Sequence, residues 1–502
     1  MHIANYCLQV LTPIERGIIL NYNNLTMLTD LYEITMMQGY HYVKEVSKTA
    51  VFDLFYRKNP SGSGYAICAG LDQVIDYIKS LSFSDSDIEY LRSQNLFNDE
   101  FLKYLKSFKF TGDIYAIPEG TVVFPTEPLL RIKAPIMEAQ LIESALLNII
   151  NHQCLIATKA SRIVWASNGD SILEFGLRRA QGPDAGIYGA RAAIIGGCSA
   201  TSNVLAGKMF DIPVRGTHAH SWIMSFNDEI TAFREYAKVY PQSCIFLVDT
   251  YDTLRSGVPN AIKVFNEMKS SGFELKNYGI RLDSGDLAYL SKEARKMLDD
   301  SGFDDAIISA SSDLDEYLIR DLKLQGAKIT LWGVGTNLIT SEDCPAFGGV
   351  YKLAAESDKH GVLMPKIKLS ENVEKVTNPS IKKVVRFYDK KSGKIKADLI
   401  ALDDENFDSD LDLNIFDPIS TWKNMTLKKG TYTVRELLIP VFLKGECVYA
   451  SPSVMQIRDY CQRELLSLWD EHKRLVNPQL LPVDLSKKLW GLKHDMIKQI
   501  KG

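Results

Sequence analysis

Residues 278–286 read YGIRLDSGD and show the pattern that decides the fold. A short apolar run, long enough for one buried strand, ends in acidic, hydroxyl and glycine residues, and a helical pattern follows it. Units of roughly 20 to 40 residues suit a strand with its crossover helix. The pattern recurs at residues 172–175, 212–217, 244–249, 306–309, 329–334 and 350–353. These units predict an α/β fold with a parallel sheet, most simply an irregular (β/α) barrel, with a doubly wound open sheet as the alternative.

The segments on both sides of these units have mixed α/β patterns of their own. Helical stretches and short strands precede residue 137. After residue 369 the sequence predicts two hairpins, one around residues 389–393 and one turning at residues 444–445, followed by helices. A chain of 502 residues is also too long for one core. We therefore predict an N-terminal α/β domain (1–136), a barrel domain carrying the active site (137–369) and a C-terminal β/α segment (370–502). The last of these is expected to pack with the N-terminal domain.

The composition excludes several classes of protein. A net charge of −4 argues against a broad nucleic-acid surface, and no apolar run approaches the ~20 residues that span a bilayer. The first residues lack the basic and apolar regions of a secretory signal. The eight cysteines form no C-x-x-C pair, so neither a zinc site nor a disulfide framework is indicated. A soluble, cytoplasmic protein with reduced thiols is expected.

Polar and glycine residues close most of the predicted strands. In a β/α barrel the carboxyl ends of the strands share one face, where active sites are built. These strand ends should therefore meet at one rim. Six polar strand ends that converge in this way are hard to explain as turns alone. They are residues 174–176, 216–218, 249–250, 283–286, 311–313 and 333–336.

Two of the strand ends carry groups that suit a flat, acidic substrate. Arg178 follows the first strand, where a guanidinium group can clamp a carboxylate or phosphate through two hydrogen bonds. Phe175 offers a face on which a ring can stack. The alternative for Arg178 and Arg179 is a solvated pair on a loop.

Two other strand ends suit a phosphorylated sugar. Asp283 can accept hydrogen bonds from both hydroxyls of a ribose. Asp286 can hold the same loop or bind a magnesium ion, and the alternative is that it only caps the next helix. Gly333 and Gly335 leave backbone N–H groups free for a phosphate, and Thr336 adds a hydroxyl. This is neither a Walker loop nor a full dinucleotide fingerprint.

The stretch GTHAHSW, residues 216–222, places His218 and His220 at a strand-to-helix junction. Imidazole can accept or pass a charged group near neutral pH, so either histidine is a candidate for chemistry. Capping a helix or filling a core is the alternative. The local sequence does not decide between a chemical and a structural role for these histidines.

Several motifs in one order make the chain resemble the nicotinate phosphoribosyltransferases over about residues 24–369. They are TMLTDLYEITMMQGY from Thr26, EFGLRRAQGPDAGIYGARAA from Glu174, ATSNVLAG from Ala200, GTHAHSW from Gly216, RLDSGDL from Arg281, GVGTNL from Gly333 and GGVYKL from Gly348. That family has an α/β domain and an irregular β/α barrel, as predicted above. Residues 1–22 precede its usual start.

The resemblance implies ATP-coupled transfer of phosphoribose from phosphoribosyl pyrophosphate to nicotinate, giving nicotinate mononucleotide and pyrophosphate in NAD salvage. ATP and Mg²⁺ are the implied cofactors, with Mg²⁺ carried by the pyrophosphate and no direct protein ligand. The implied catalytic residues are His220 (the phosphorylated histidine), Asp249 and Asp283; His218 is assigned no chemistry. The implied substrate-binding residues are Phe175 and Arg178 for the pyridine acid, Thr217 near its carboxylate, Arg281 and Ser312 for phosphoribosyl pyrophosphate, and Gly333, Gly335 and Thr336 for the 5′-phosphate.

Tyr32 matches an aromatic residue that reaches the ring from a partner subunit, which implies a homodimer. Three alternatives stay open. A nicotinamide-specific relative is expected to carry an acidic residue near Ser202 and Asn203, where this chain has none. A quinolinate enzyme would need more basic groups for two carboxylates. A ligand-binding relative without activity would not need the intact Arg178, His220 and Asp283.

Overall fold

The computed structural model describes residues 24–45, 48–372 and 375–502, so residues 1–22, which precede the usual start of the family that the chain resembles, lie outside them. The helices are α1 Leu31–Tyr42, α2 Leu71–Ser80, α3 Asp85–Ser93, α4 Asp99–Lys106, α5 Ile136–Leu141, α6 Glu143–Ser167, α7 Pro183–Ile195, α8 Val204–Phe210, α9 His220–Met224, α10 Glu229–Val239, α11 Val258–Ser270, α12 Leu287–Asp300, α13 Glu316–Leu324, α14 Thr336–Ile339, α15 Val454–Ser467 and α16 Lys487–Lys501. None of these described helices is both long and apolar enough to cross a bilayer.

The strands form one parallel and several antiparallel sheets. They are β1 Thr49–Tyr56, β2 Ala66–Ile67, β3 Asp113–Ala116, β4 Val122–Val123, β5 Leu130–Pro135, β6 Ser171–Glu174, β7 Ala200–Thr201, β8 Ser243–Leu247, β9 Asn277–Leu282, β10 Ile307–Ala310, β11 Leu331–Val334, β12 Gly349–Ser357, β13 Leu363–Pro365, β14 Lys382–Asp389, β15 Ile395–Leu402, β16 Leu413–Phe416, β17 Asn424–Leu427, β18 Tyr432–Glu436, β19 Ile439–Leu443, β20 Glu446–Cys447 and β21 Val483–Leu485.

The parallel sheet is the predicted irregular barrel. Its strands run in the order β7-β6-β11-β10-β9-β8, and every pair in it is parallel. This is the cyclic order of a barrel, closed by the pairing of β6 with β11 and open between β7 and β8. Helices connect successive strands from β8 to β11, as the repeated units predict.

The predicted barrel strand at residues 212–217 is wrong: these residues form no regular strand, and the barrel is open between β7 and β8. Only one bridge forms there, between Thr201 and Val214. Thr201 donates its N–H to Pro213 O (3.0 Å) and accepts from the N–H of Arg215 (2.9 Å). Pro213 has no N–H, so the segment cannot continue a regular ladder. The structure places the two-residue strand β7 beside β6 instead.

The predicted barrel strand at residues 350–353 is also wrong. It belongs to β12, which pairs antiparallel with β1 in a seven-stranded sheet of order β13-β12-β1-β5-β3-β19-β20. A short apolar run does not by itself reveal which sheet it joins. Here the rings of Phe52 and Tyr351 stack across the pair, with centroids 4.7 Å apart. Strands β19 and β20 bring the C-terminal segment into the same sheet, and their predicted turn at residues 444–445 is confirmed.

The rest of the C-terminal segment forms a smaller sheet of order β18-β14-β15-β21. The predicted hairpin around residues 389–393 is confirmed as the antiparallel pair of β14 and β15. Its buried Arg386 donates to Asp398, with Nη2 to Oδ2 at 2.6 Å. The domain boundaries at residues 136 and 369 stay predictions.

Helix α6 joins the two main hydrophobic cores. Residues of its first half, such as Leu146 and Ile150, lie in the core under the antiparallel sheet. Residues of its second half, such as Ile156 and Ile163, lie in the core of the barrel. The helix ends at Ser167 and leads directly into β6, whose far end reaches the candidate site.

Candidate active site

A cavity of about 490 Å³ lies at the carboxyl ends of the barrel strands. Most of the residues predicted for the site line it, because the strands that carry them are neighbours in the parallel sheet. The predicted residues among its lining are Phe175, Arg178, Thr217, Arg281, Asp283, Ser312, Gly333, Gly335 and Thr336. The strand ends therefore meet at one rim as the sequence predicts.

The ring of Phe175 lies against the glycine loop after β11. The backbone N–H of Phe175 donates to Val334 O (2.8 Å), which fixes the start of the loop. A Cβ added to Gly333 would lie 2.6 Å from Cδ2 and 2.7 Å from Cε2 of that ring. Only glycine leaves room for the ring at this position, since carbon atoms in contact are about 3.5–4.0 Å apart.

Glu174, which the sequence analysis did not select, organises the same loop. Its fully buried carboxylate accepts the N–H of Gly176 and the hydroxyl of Thr201 (2.5 Å). Its backbone oxygen accepts the N–H of Ser202 (2.9 Å). Burial raises the pKa of Glu174, against the effect of these donors. An acidic residue inside an apolar strand was the sequence signal for this role.

Three arginines line the cavity without a carboxylate partner. Among the described residues, no ion pair engages Arg178, Arg179 or Arg281. Arg281 donates through Nη1 to the hydroxyl of Thr217, and its buried Nε has no partner in the part of the chain that the structure describes. Burial lowers the pKa of Arg281, and the charges of Asp283 and Asp249 partly oppose this effect. Unpaired guanidinium groups in a partly desolvated cavity favour an anionic ligand.

His220 and Asp249 lie at the edge of this rim as a hydrogen-bonded pair. His220 Nε2 is 3.2 Å from Asp249 Oδ1; the aspartate side chain is 1% exposed and the histidine side chain 39%. The other oxygen of Asp249 accepts the N–H of Asp283 (2.9 Å) and the hydroxyl of Ser284 (2.5 Å). Asp249 therefore connects the exposed imidazole to the loop that carries Asp283.

The loops after β9 and β10 are held against each other. Ser311 donates its hydroxyl to Asp283 Oδ1. Ser312 and Asp313 adopt left-handed backbone conformations, with φ of +99° and +42°, which cost energy in residues with a side chain. Asp286 accepts the N–H of Tyr289 (2.8 Å) and caps α12, which favours the structural alternative for this residue.

His218 has a structural role at the opening of the barrel. Its buried Nε2 accepts the N–H of Leu247, the last residue of β8 (3.3 Å). In a closed barrel a carbonyl oxygen of a neighbouring strand would accept this N–H. The ring also packs against Tyr236, with centroids 4.7 Å apart. Burial lowers the pKa of His218 to about 4, so the imidazole is neutral near pH 7.

Tyr32 is not among the residues that line the cavity. It lies on α1 and is 46% exposed, close to Glu33 and Glu143. Arg179, Ser202, Ser311 and Asp313 line the cavity but were not selected from the sequence. The motifs that contain them were visible, but which side chains of a loop face a cavity is a property of the fold.

No group of three or more histidine, cysteine, aspartate or glutamate side chains in the described residues is placed to hold a metal ion. The carboxylates that line the cavity are those of Asp283 and Asp313. A divalent ion at this site would need most of its oxygen ligands from a bound substrate.

Comparison with known proteins gives matches along most of the chain. Three family models match: the nicotinate phosphoribosyltransferase N-terminal domain at residues 27–151, the nicotinate phosphoribosyltransferase family at 171–344 and its C-terminal domain at 381–493. The nicotinate phosphoribosyltransferase of Bacillus subtilis (strain 168) is 48% identical over 479 residues, covering 95% of this chain and 96% of that protein. The Caenorhabditis elegans enzyme of the same name is 35% identical, covering 94% and 93%.

Solved structures show the same architecture. The crystal structure of human nicotinic acid phosphoribosyltransferase superposes with a TM-score of 0.80 at 28% identity, covering 94% of this chain and all of that one (100%). A nicotinate-nucleotide pyrophosphorylase from Pyrococcus furiosus superposes with a TM-score of 0.66 at 22% identity, covering 89% and 97%, and shows the fold alone.

Proposed function

Because this chain belongs to the nicotinate phosphoribosyltransferase family, we propose a role for each group of the cavity in the reaction of that family. The chain is an enzyme of NAD salvage that transfers phosphoribose from phosphoribosyl pyrophosphate to nicotinate. The assignment of roles rests on the combination of a ring-sized face at Phe175 with guanidinium groups that form no ion pair among the described residues.

Nicotinate would stack on Phe175 while Arg178 clamps its carboxylate, with Thr217 beside it. The lone pair of the pyridine nitrogen then forms a bond to the anomeric carbon, and the bond from that carbon to the pyrophosphate oxygen breaks. The pyrophosphate leaves with the bonding electrons, and its charge is stabilised by Arg281. Holding both reactants in line removes much of the entropic barrier.

The remaining groups suit the phosphoribosyl half of the reaction. Asp283, oriented by Ser311, can accept the ribose hydroxyls. Ser312 lies on the same rim. The backbone N–H groups of the loop at residues 333–336 can bind the 5′-phosphate. Mg²⁺ would enter on the pyrophosphate and neutralise part of its charge, with Asp283 and Asp313 as the nearby carboxylates.

We propose that His220 accepts the γ-phosphoryl group of ATP. Asp249 accepts a hydrogen bond from Nε2, which fixes the tautomer in which Nδ1 carries the lone pair. Nδ1 then forms the bond to phosphorus as ADP leaves. The phosphorylated ring adds charge and hydrogen-bond acceptors at the rim, and Asp249 connects it to the ribose loop.

The structure around Ser202 favours nicotinate over nicotinamide. Ser202 lines the cavity, whereas Asn203 donates to Gly186 O (3.1 Å) and accepts from Ala206 N–H (3.1 Å). An amide substrate would benefit from a carboxylate here, but this position carries a hydroxyl. A carboxylate substrate is instead attracted by the arginines.

We further propose a cytoplasmic homodimer in which Tyr32 completes the site of the partner subunit. The exposed apolar side chains of α1, which include Leu31 (55% exposed) and Tyr42 (79%), support a covered surface. Co-expressing Tyr32→Ala with Arg178→Ala tests this. In mixed dimers one site carries both substitutions and the other neither, so activity should return; two inactive variants that stay inactive together would contradict shared sites.

A product assay tests the proposed reaction. The purified enzyme is given nicotinate, nicotinamide or quinolinate, each with phosphoribosyl pyrophosphate and Mg²⁺, with and without ATP. We expect nicotinate mononucleotide from nicotinate, formed faster with ATP. A preference for nicotinamide or quinolinate would support the rival enzymes, and no product from any of the three would support a ligand-binding relative.

A further inference from the structure

A second and larger cavity, of about 690 Å³, lies away from the catalytic one. The last turns of α6, the C-terminal half of α15 and the loop at residues 473–476 form its walls, together with Tyr65 and Arg320. We call it the α6-end cavity. It shares no lining residue with the catalytic cavity. Its lining residues 164–166, 168 and 169 precede β6, whereas the catalytic cavity is built after β6 ends.

The size and the lining of the α6-end cavity suit a small molecule. Ligand sites in proteins are typically apolar cavities of about 300–1,000 Å³ with a few polar groups. Val164, Ala166, Leu465 and Leu475 supply apolar walls, and Trp165 supplies an aromatic one. A ring or a short hydrocarbon body would therefore gain from entering it.

The charges around the α6-end cavity have one sign. Arg320, Lys473 and Arg474 line it, and no acidic residue does so in the described part of the chain. The Nζ of Lys473 lies 4.2 Å from the centroid of the Trp165 ring, so a cation sits directly beside the aromatic wall.

The partners of these cations leave room for a ligand anion. Lys473 pairs with Asp470, whose side chain is 82% exposed, and Arg320 pairs with Asp321, which is 52% exposed. Solvent screens such exposed pairs strongly. Arg474 forms no ion pair within the described residues; its Nε donates to Glu471 O (3.3 Å).

Gln462 lies on the face of α15 that lines the α6-end cavity, but its amide does not face the cavity. Its Nε2 is buried against Gly197, where an added Cβ would lie 2.6 Å from it. The charged donors that the cavity offers to a ligand are therefore those of Arg320, Lys473 and Arg474.

We propose that the α6-end cavity binds a small organic anion with an apolar ring or chain. Its body would lie against Trp165 and the aliphatic walls, and its carboxylate, sulfonate or phosphate group would face Arg474, Arg320 and Lys473. This site is separate from the nicotinate site and does not depend on the proposed roles of the catalytic residues.

Two dyes with the same aromatic body test the proposal in the full-length enzyme. 1-Anilinonaphthalene-8-sulfonate carries the negative charge, and N-phenyl-1-naphthylamine lacks it. Binding is followed by dye fluorescence and by quenching of Trp165. The sulfonate should bind once per chain. Arg474→Gln should weaken it about tenfold, as expected for one charge-assisted hydrogen bond, and leave the neutral dye unchanged. Arg463→Gln is the matched control, because Arg463 is exposed on α15 and does not line the cavity.

A second pair of variants uses Leu466, which lines the cavity and is 68% exposed, so folding should tolerate the change. Leu466→Asp should weaken the sulfonate about threefold relative to Leu466→Asn, because the added charge repels the ligand. The neutral dye should not distinguish the two. Sulfonate binding that is unchanged in both Arg474→Gln and Leu466→Asp would overturn the proposal, as would equal weakening of both dyes.

Discussion

Replacing Gly333 by alanine tests the contact between the glycine loop and the ring proposed to hold nicotinate. The new Cβ would lie 2.6 and 2.7 Å from two carbon atoms of Phe175. Carbon atoms in contact are about 3.5–4.0 Å apart, so the ring must move by about 1 Å. On the other side the Cβ would also approach Ser311 Cβ at 3.5 Å, which leaves the ring as the group that yields.

The expected result is a loss in catalysis rather than in folding. A displacement of about 1 Å at a positioning residue can lower the rate by about 100-fold. We expect Gly333→Ala to lower kcat/KM for nicotinate by that order, with most of the change in KM. The assay is the initial rate of nicotinate mononucleotide formation across nicotinate concentrations. Gly491→Ala, where an added Cβ meets nothing within 4 Å, is the control for an alanine at a glycine.

A double-mutant cycle separates the ring contact from other effects of the alanine. In Phe175→Ala the ring that Gly333→Ala displaces is absent, so the second substitution should cost almost nothing further. If Gly333→Ala lowered kcat/KM equally in both backgrounds, the ring contact would not be the cause. A Gly333→Ala enzyme with a normal KM for nicotinate would contradict the claim that the Phe175 ring, displaced by the new Cβ, holds nicotinate.

Three further predictions concern the same rim. Arg178→Lys should lower kcat/KM for nicotinate about tenfold or more, because lysine cannot form the paired hydrogen bonds of a guanidinium group. Initial rates check this, and an unchanged kcat/KM would contradict it. Glu174→Gln should lower the free energy of unfolding by about 1–3 kcal/mol, because the single amide oxygen can replace only one of the two carboxylate oxygens that accept from Gly176 and Thr201. Urea unfolding measures this, and an unchanged midpoint would count against it. The folded pKa of His218, about 4, lies below the ordinary 6.5. The unfolded chain therefore binds more protons between these values, and stability should fall as pH drops from about 6.5 to 4. Thermal unfolding of His218→Gln should lack that part of the slope, and an unchanged slope would contradict the assignment.

Much of the barrel could be predicted from the sequence, because parallel strands buried on both faces read as apolar runs with polar ends. The runs that became β6, β8, β9, β10 and β11 are of this kind. The failures have physical causes. Strand β7 has two residues, too few to show a pattern. Pro213 interrupts the ladder that its neighbours would continue. Strand β12 has the same apolar character as the barrel strands, and only its long-range pairing with β1 assigns it to another sheet.

The sequence was sufficient to predict which strand ends meet at the site. Phe175, Arg178 and Asp283 follow strand ends, and the shared face of a barrel brings such residues together. What the sequence could not supply is which buried groups hold them. The contacts of Glu174 with Thr201 join residues 27 positions apart, and periodicity carries no information on such pairs.

The role of His220 is tested most directly by the ATP dependence of nicotinate mononucleotide formation by the wild type and by His220→Ala, measured at the same substrate concentrations. We expect ATP to accelerate the wild type, and we expect the variant to retain the slow transfer of the ATP-free wild type with or without ATP. Incubation with ATP labelled in the γ-phosphoryl group should label the wild type and not the variant. A His220→Ala enzyme that ATP stimulates as fully as the wild type would contradict the assignment of this histidine.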